Sequence, residues 1–572
     1  MTHLETRSRV KSLSLGALVA ASAIVSSHSA WAQTCSDVAT YVHCGDPANL
    51  GPVNVDLSAT SLTKGVTVDG TDVALKTGAI SLPASFFGDA VRVRADNSAS
   101  VDTTGGKITA NTDNGFAQGL SVFTPNDSLL NIRTGEIETI SNNASTGLLV
   151  TFGSTLSSRT GGRANISIEG DITASGLDGT GVYLSALRSA DVTIAEGVTI
   201  LGGALEIRTG PLFSIGGAGI IADGGGEPRA QAVRITNYGT IGAMSDVAIK
   251  TKDFDEGGPV IPANGIKVSN YGSIIGQFKL APILRTDAHP NVIENFGVIT
   301  FRNFADTDGD GVRDRLGDAV SEFGNAASNF INAKAGTIQV TGQNTVLTGL
   351  ATFENAGTVD LRTDAPSNVM TITNGGVGTF VSNGGSLLIN TRLGSDNSPT
   401  DKLVVDGTAV GPGGATRVFV TNVGGLGAFT TGDGIRIIEV KDSARSAAGA
   451  FTLGQSVAAG AYEYHLEHGS AVGNAADGNW YLRNPEIREE VPLYMAITDL
   501  ARIYDLNVLG MYHTRGSDAL PSGQGAWGRG FGATGSRDGN LQAGKGSEYD
   551  YGLAGLQVGQ DAYRYELPVN QL

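Results

Sequence analysis

The chain has 572 residues, of which 81 are glycine, 6% are aromatic and two are cysteine, and it carries a formal net charge of −17. That acidic balance argues against a phosphate-binding surface and against attraction to anionic lipid, so nucleic acid is not an expected partner. Apolar residues continue throughout a Thr/Val/Ile/Asn texture with few lysines, which excludes a disordered chain and fits a long all-β secreted domain.

The first predicted element is an export signal. Arg7, Arg9 and Lys11 form a basic start, Leu13 to Val25 an apolar run, and Ala30-Trp31-Ala32 a small-x-small cleavage site before Gln33. Residues 1–32 are therefore set aside from the fold. No later apolar run reaches the roughly 18 residues a membrane helix needs. Cys35 and Cys44 follow the cleavage site, and their close spacing with an oxidising destination predicts one small disulfide. The competing reading is a metal pair with His43, although C-x8-C with one histidine lacks the four-ligand spacing of a zinc site.

The body of the chain is set by a returning cassette: Ile235-Thr-Asn237-Tyr-Gly239-Thr-Ile241, Val268-Ser-Asn270-Tyr-Gly272-Ser-Ile274, Ile293-Glu-Asn295-Phe-Gly297-Val-Ile299 and Phe353-Glu-Asn355-Ala-Gly357-Thr-Val359. Looser copies end at Ile338 and Val377, with Asn332 and Asn374 in the asparagine place. Ile168-Glu-Gly170-Asp-Ile172 and Ile132-Arg-Thr-Gly135-Glu-Ile137 keep the turn without the asparagine. One such unit cannot bury its own apolar face, so the units stack. Period-two alternation puts Val233, Ile235 and Asn237 on one strand face, with the asparagine inward and able to hydrogen-bond its counterparts above and below. The glycine is expected to supply a positive φ at the corner.

Successive asparagines 237, 270, 295, 332, 355 and 374 lie 33, 25, 37, 23 and 19 residues apart. The short gaps predict single coils of a right-handed parallel β-helix and the long ones coils carrying loops. About twenty coils of ~22 residues, ~4.8 Å apart, would extend on the order of 95 Å. An ordinary β-sandwich with Asn-Gly hairpins is the alternative, but hairpin turns do not require one fixed sequence after each strand.

Within the longest gap lies Asp306-Thr-Asp308-Gly-Asp310-Gly311-Val312-Arg-Asp314. Carboxylates at positions 1, 3, 5 and 9, a glycine at 6 and the Val312 carbonyl at 7 match the first part of a calcium loop, so Ca2+ is the one cofactor the sequence suggests. Position 12 is Gly317, with Asp318 one place later, so the bidentate ligand is missing; a merely solvated acidic loop is the other reading. Catalytic signals are thin. His43, His289, His465, His468 and His513 stand beside no nucleophile elbow. Asp37, Asp253, Asp255 and Glu256 are available for glycan cleavage on stacked strands, with nothing to fix their mutual distances.

After the last cassettes come Asp401-Lys-Leu403-Val-Val405-Asp-Gly407, Val418-Phe-Val420-Thr-Asn422-Val-Gly424-Gly425, Gly432-Asp-Gly434-Ile435-Arg-Ile437-Ile-Glu-Val440, Gly449-Ala-Phe451-Thr-Leu453, Ala459-Gly-Ala-Tyr462-Glu-Tyr464-His-Leu466 and Trp480-Tyr-Leu-Arg483. This ordered series resembles the C-terminal passenger cap, or autochaperone region, of pertactin-like autotransporters. Apolar spacing from Val491 to His513 suits a helix, which in that family threads a barrel pore. Gly525-Ala-Trp527-Gly-Arg529-Gly-Phe531-Gly and Tyr549-Asp-Tyr551-Gly-Leu553-Ala-Gly555-Leu-Gln-Val558-Gly559 resemble the first strands of the outer-membrane translocator, with Trp527 and Tyr551 as girdle aromatics. An edge hairpin on a soluble domain would alternate in the same way.

The resemblance implies a signal over 1–32, a passenger β-helix over 33–400, a cap over 401–484, a linker helix over 485–515 and the start of an outer-membrane β-barrel over 516–572. A translocator of about a dozen strands needs well over two hundred residues, so this one is expected to be truncated, leaving the passenger in the periplasm. The implied function is display on the bacterial surface as an adhesin. The expected partners are a host or neighbouring-cell protein or glycan and, for a complete form, outer-membrane lipid and the barrel assembly machinery. The alternative is a secreted β-helix enzyme acting on polysaccharide.

Overall fold

The computed structural model describes residues 35–560 apart from 38–40, 46–49, 85–87, 114, 126–127, 143, 153–161, 186–187, 205–216, 223–232, 252–264, 283–288, 326, 474–476, 485–486, 510–525, 542–543 and 546–547. The export signal lies outside the described residues.

From Gly65 to Leu453 the chain winds as a three-faced parallel β-helix. One coil shows the plan: Val247–Thr251 lies on the first face, Lys267–Asn270 on the second and Ser273–Ile275 on the third, and each pairs in parallel with the matching strand of the next coil. The third face is a separate sheet of thirteen strands. The first two faces merge into one sheet because long strands such as Gly65–Thr77 and Val369–Ser382 bend round the corner between them at irregularities in register. Twelve steps of ~4.8 Å make a rod of about 58 Å, shorter than the sequence estimate. Inserted loops raise the average coil, from Ile80 to Phe451, to about 31 residues, so there are fewer coils than uniform short ones would give.

Alternation fills the interior as expected. Val233, Ile235 and Asn237 point inward and the residues between them outward. Asn237, Asn270, Asn295, Asn332 and Asn355 are in register and fully buried. Each Nδ2 donates to the Oδ1 of the next asparagine, at 2.8, 2.9, 3.0 and 2.9 Å. On the N-terminal side the same column passes through Ile194, Ile168 and Thr134, so the two asparagine-free copies occupy the same corner.

Two sequence expectations are corrected here. Asn374 is not the next rung: Ser382 pairs with Asn355, while Asn374 sits at the bend between the first and second faces. The displaced copy is Val381-Ser382-Asn-Gly-Gly385, in which serine replaces the ladder amide. Nor do Gly239, Gly272, Gly297 and Gly357 take positive φ. Their requirement is close packing of successive coils. A Cβ on Gly272 would stand 2.1 Å from the Gly239 carbonyl oxygen, and one on Gly297 would stand 2.1 Å from that of Gly272.

At the N-terminal end Cys35–Asp37 pairs antiparallel with Tyr41–Cys44, which joins the rod in parallel against Gly65–Val68. The change of sequence texture at Asp401 brings no change of fold, because Lys402–Val410, Thr416–Asn422, Ile435–Val440 and Phe451–Leu453 continue the coils. The antiparallel end begins with Val457–Ala459 and Tyr462–His468, and Trp480–Arg483 then closes on Ile435–Val440. Tyr464 fastens this end: its hydroxyl shares its one proton between the carbonyls of Gly394 and Ala428, at 2.8 and 3.0 Å.

Beyond the rod, Glu490–Leu509 is a helix with Leu493, Tyr494, Ile497 and Leu509 exposed. No described helix is long and apolar enough to cross a membrane. Ala526–Arg537 and Tyr549–Gln560 form a two-stranded antiparallel hairpin. Trp527 and Tyr551 do not share a face with the exposed Leu556 and Val558. By strand alternation they lie with Arg529 and Gln557 on the face that reaches the helix, where Arg529 donates to the Val508 carbonyl, and their rings fold over Gly559 and Gly535 of the opposing strand.

Candidate functional site

The acidic loop lies between Val298–Phe301 on the third face and Val320–Phe323 on the first face of the next coil. A short antiparallel pair, Phe304–Ala305 with Arg315–Leu316, forms its neck. Asp306 is fully buried, and its carboxylate accepts the N–H groups of Asp308, Gly309 and Gly311 at 3.2, 2.6 and 2.7 Å. Asp308 and Asp310 each accept the N–H two residues on, from Asp310 and Val312. The hydroxyl and N–H of Thr307 hold the Asp314 carboxyl below the usual carboxylate range. Gly309 and Gly311 take φ of 85° and 82°, which explains glycine at both. One oxygen from each of Asp306, Asp308 and Asp314 falls within 4.8 Å of the others; the Asp310 carboxylate is not in that group, and Val312 would contribute only its carbonyl.

The loop is moored to the rod by residues that no sequence motif marks. Asp246, buried and at φ 69°, accepts from Arg302 Nε at 2.6 Å and from the Phe304 N–H at 3.1 Å. The Arg302 guanidinium lies 4.4 Å over the Phe304 ring, and the Asp306 N–H reaches the Met244 carbonyl at 3.3 Å. Burial raises the Asp246 carboxyl to about 6 against the opposing pull of Arg302.

A second feature is an aromatic corner. The residue after the ladder asparagine points outward, and in three consecutive coils it is Tyr238, Tyr271 and Phe296. The rings stack at 5.1 and 4.8 Å with interplanar angles of 16° and 6°, and the two tyrosines remain 46% and 47% exposed. The recurring aromatic in the cassette was the available signal for it.

Cys35 and Cys44 are bonded to one another across directly paired strands. His43 faces Asp69 at 3.3 Å instead. Of the carboxylates considered for glycan cleavage, Asp37 pairs with Lys64, and Asp253, Asp255 and Glu256 lie outside the described residues. His468 packs 4.5 Å from Trp480, where burial lowers its basicity; His465 is exposed, the His289 carbonyl accepts the Gly265 N–H, and His513 is not described.

A long parallel β-helix with an antiparallel end is a solenoid, each coil of which supports only its neighbours. Residues 347–466 match the Autochaperone Domain Type 1 family, covering the last coils and the first strands of the antiparallel end. The chain is 37% identical over 217 residues to the adhesin BmaC autotransporter of Brucella suis biovar 1 (strain 1330), covering 32% of this chain and 6% of that protein. It is 31% identical over 176 residues to the autotransporter adhesin AIDA-I of Escherichia coli, covering 29% and 13%. Similarity to the uncharacterized protein YuaQ of Escherichia coli (strain K12) is 46% over 128 residues, covering 22% and 8%. The chain thus spans a small part of the length of each of these relatives, and these similarities support an autotransporter passenger.

Proposed function

We propose that the passenger is an adhesive rod displayed on the bacterial surface, binding a protein or glycan of a host or neighbouring cell. The reading is carried by the join of a loop-bearing rod to an autochaperone match at its C-terminal end, as in a chain similar to two autotransporter adhesins. In this reading residues 1–32 direct export, 485–515 form the linker helix and 516–572 begin the translocator. The alternation of the hairpin and the contact of its Arg529 face with the helix support that assignment. The Asp306 loop would take calcium weakly, in the range of extracellular modules.

Beads coated with the purified full chain should bind epithelial cells, matrix-coated surfaces or bacterial cells more than albumin-coated beads do. Binding no better than albumin on every surface would refute the adhesive role.

A further inference from the structure

Coil geometry makes the aromatic corner a bounded trough. From the ladder residue to the start of the third face, the coils of Tyr238, Tyr271 and Phe296 turn in three steps, Asn237 to Thr240 for example. The coil before them takes five, Ile194 to Thr199, and the coil after them five, Asn332 to Thr337. Each longer corner is a tight turn closed by an N–H to carbonyl bond, Val198 to Ala195 and Gly336 to Ala333. Two projecting turns, with Glu196 and Lys334 exposed on them, therefore bracket a floor of three stacked rings. Neither Ala195 nor Ala333 extends the stack.

Size and charge together select an occupant. Four coil steps give a length of about 19 Å and three residues of turn a width of about 10 Å. That is about 190 Å2, roughly a quarter of the ~800 Å2 that each side of a stable protein interface buries. The charged side chains along its second-face flank are paired: Arg234 with Asp191 at 2.6 Å and Lys267 with Glu294 at 2.7 Å. Hydroxyls of Thr240 and Ser273 line the other flank. A small, locally neutral surface of half-exposed tyrosine edges and hydroxyls on a chain of net charge −17 suits neither an anionic polymer nor a folded protein. It suits a short run of neutral sugar, whose hydroxyls meet the phenols and the flanking hydroxyls while its C–H groups pack on ring carbon.

We infer that the Tyr238–Tyr271–Phe296 corner is a binding site for a segment of neutral polysaccharide, an assignment that rests on the adhesive reading and names its ligand. Calorimetric titration of the full chain with maltohexaose, cellohexaose and mannohexaose, and with a heparin hexasaccharide as anionic control, tests it. At least one neutral hexaose should bind and heparin should not. Tyr238→Ala with Tyr271→Ala should weaken binding at least about tenfold. Tyr238→Phe with Tyr271→Phe keeps the stack and should weaken it less, and Phe116→Ala, an exposed aromatic elsewhere, should leave it unchanged. The assignment fails if no neutral hexaose binds, if heparin binds as well, or if the Tyr→Phe pair abolishes nothing and the Tyr→Ala pair leaves affinity intact. Coated beads that still bind cells in that event leave the adhesive role standing without this site. Cell binding lost in the Tyr→Ala pair, with no hexaose bound, would assign the corner to a protein ligand instead.

Discussion

Replacing Asn295 by alanine should cost far more than the same change at Asn355, although both asparagines are fully buried in one ladder. Asn295 accepts from Asn270 at 2.9 Å and donates to Asn332 Oδ1 at 3.0 Å and to the Thr337 carbonyl at 3.1 Å. Its loss takes a donor from two acceptors, whereas the Asn270 amide keeps the Val298 carbonyl at 3.0 Å. An acceptor deprived of its donor in the interior costs ~1–3 kcal/mol, so Asn295→Ala, which deprives two, should lose about 2–6 kcal/mol. Asn355 accepts from Asn332 at 2.9 Å, but its own Nδ2 has no partner among the described residues, and Asn332 keeps the Thr358 carbonyl. Asn355→Ala should therefore cost about 1 kcal/mol or less. Solenoid coils open locally, so amide hydrogen exchange over 292–301 and 345–360 is the appropriate assay, in preference to one global melt. Equal losses at the two positions, or a loss below about 1 kcal/mol at Asn295, would show that the amide ladder does not stabilise the corner in this way.

Gly272→Ala should destabilise by about 3 kcal/mol through its clash with the Gly239 carbonyl. Gly309→Ala, at positive φ in open space, should cost about 1 kcal/mol; denaturant titration showing the reverse order would restore backbone conformation as the reason for the cassette glycine. Because burial raises the Asp246 carboxyl from 3.8 to about 6, the fold binds its proton more tightly than the unfolded chain does. Its charged form then costs nothing below pH 3.8 and up to about 3 kcal/mol once the pH has risen past 6, so Asp246→Asn should remove the decline between those values. Parallel stability profiles of wild type and variant over that window would contradict this. Calorimetry should detect calcium at millimolar ion and lose it in Asp308→Asn with Asp314→Asn, while rod protection stays unchanged; no heat in the wild type leaves a solvated loop.

The coil was legible because its determinants are local and recurrent: strand alternation, an inward asparagine and a glycine at fixed distance. Asn374 misled because Asn-Gly-Gly also suits the bend between the first two faces, and only register distinguishes that corner from the one at Ser382. The cassette glycine suggests a positive φ locally, whereas its constraint is the carbonyl of the preceding coil, that of Gly239 for Gly272, a contact between coils that no local rule contains. The Asp306 loop announced itself as a motif. Its mooring did not, because Asp246 and Arg302 lie 56 residues apart and meet only when the coils are stacked. The bracketed trough depends on turn lengths in five successive coils, a comparison that becomes possible once the rungs are known.

Core composition gives the rod a direction. From Cys44 to Ile274 the buried apolar residues are Val, Leu, Ile, Ala and that one half of the disulfide, and the first buried phenylalanine among the described residues is Phe278. From there an aromatic column runs toward the cap: Phe323 to Phe330 at 5.7 Å, Phe330 to Phe353 at 5.2 Å, Phe353 to Phe380 at 5.7 Å, Phe380 to Phe451 at 5.2 Å and Phe451 to Trp480 at 4.8 Å. A ring in place of a valine adds on the order of 1 kcal/mol of burial and stacking per coil. The C-terminal coils are thus the more stable ones, and the closing strands cover the end where an open stack would otherwise expose its edge. Coils over 65–141 should then exchange their amides before those over 330–451, and refolding should begin at the capped end, where the costly first coil has a preformed neighbour. Uniform protection along the rod, or faster exchange near Phe380 than near Val93, would remove the basis for that polarity.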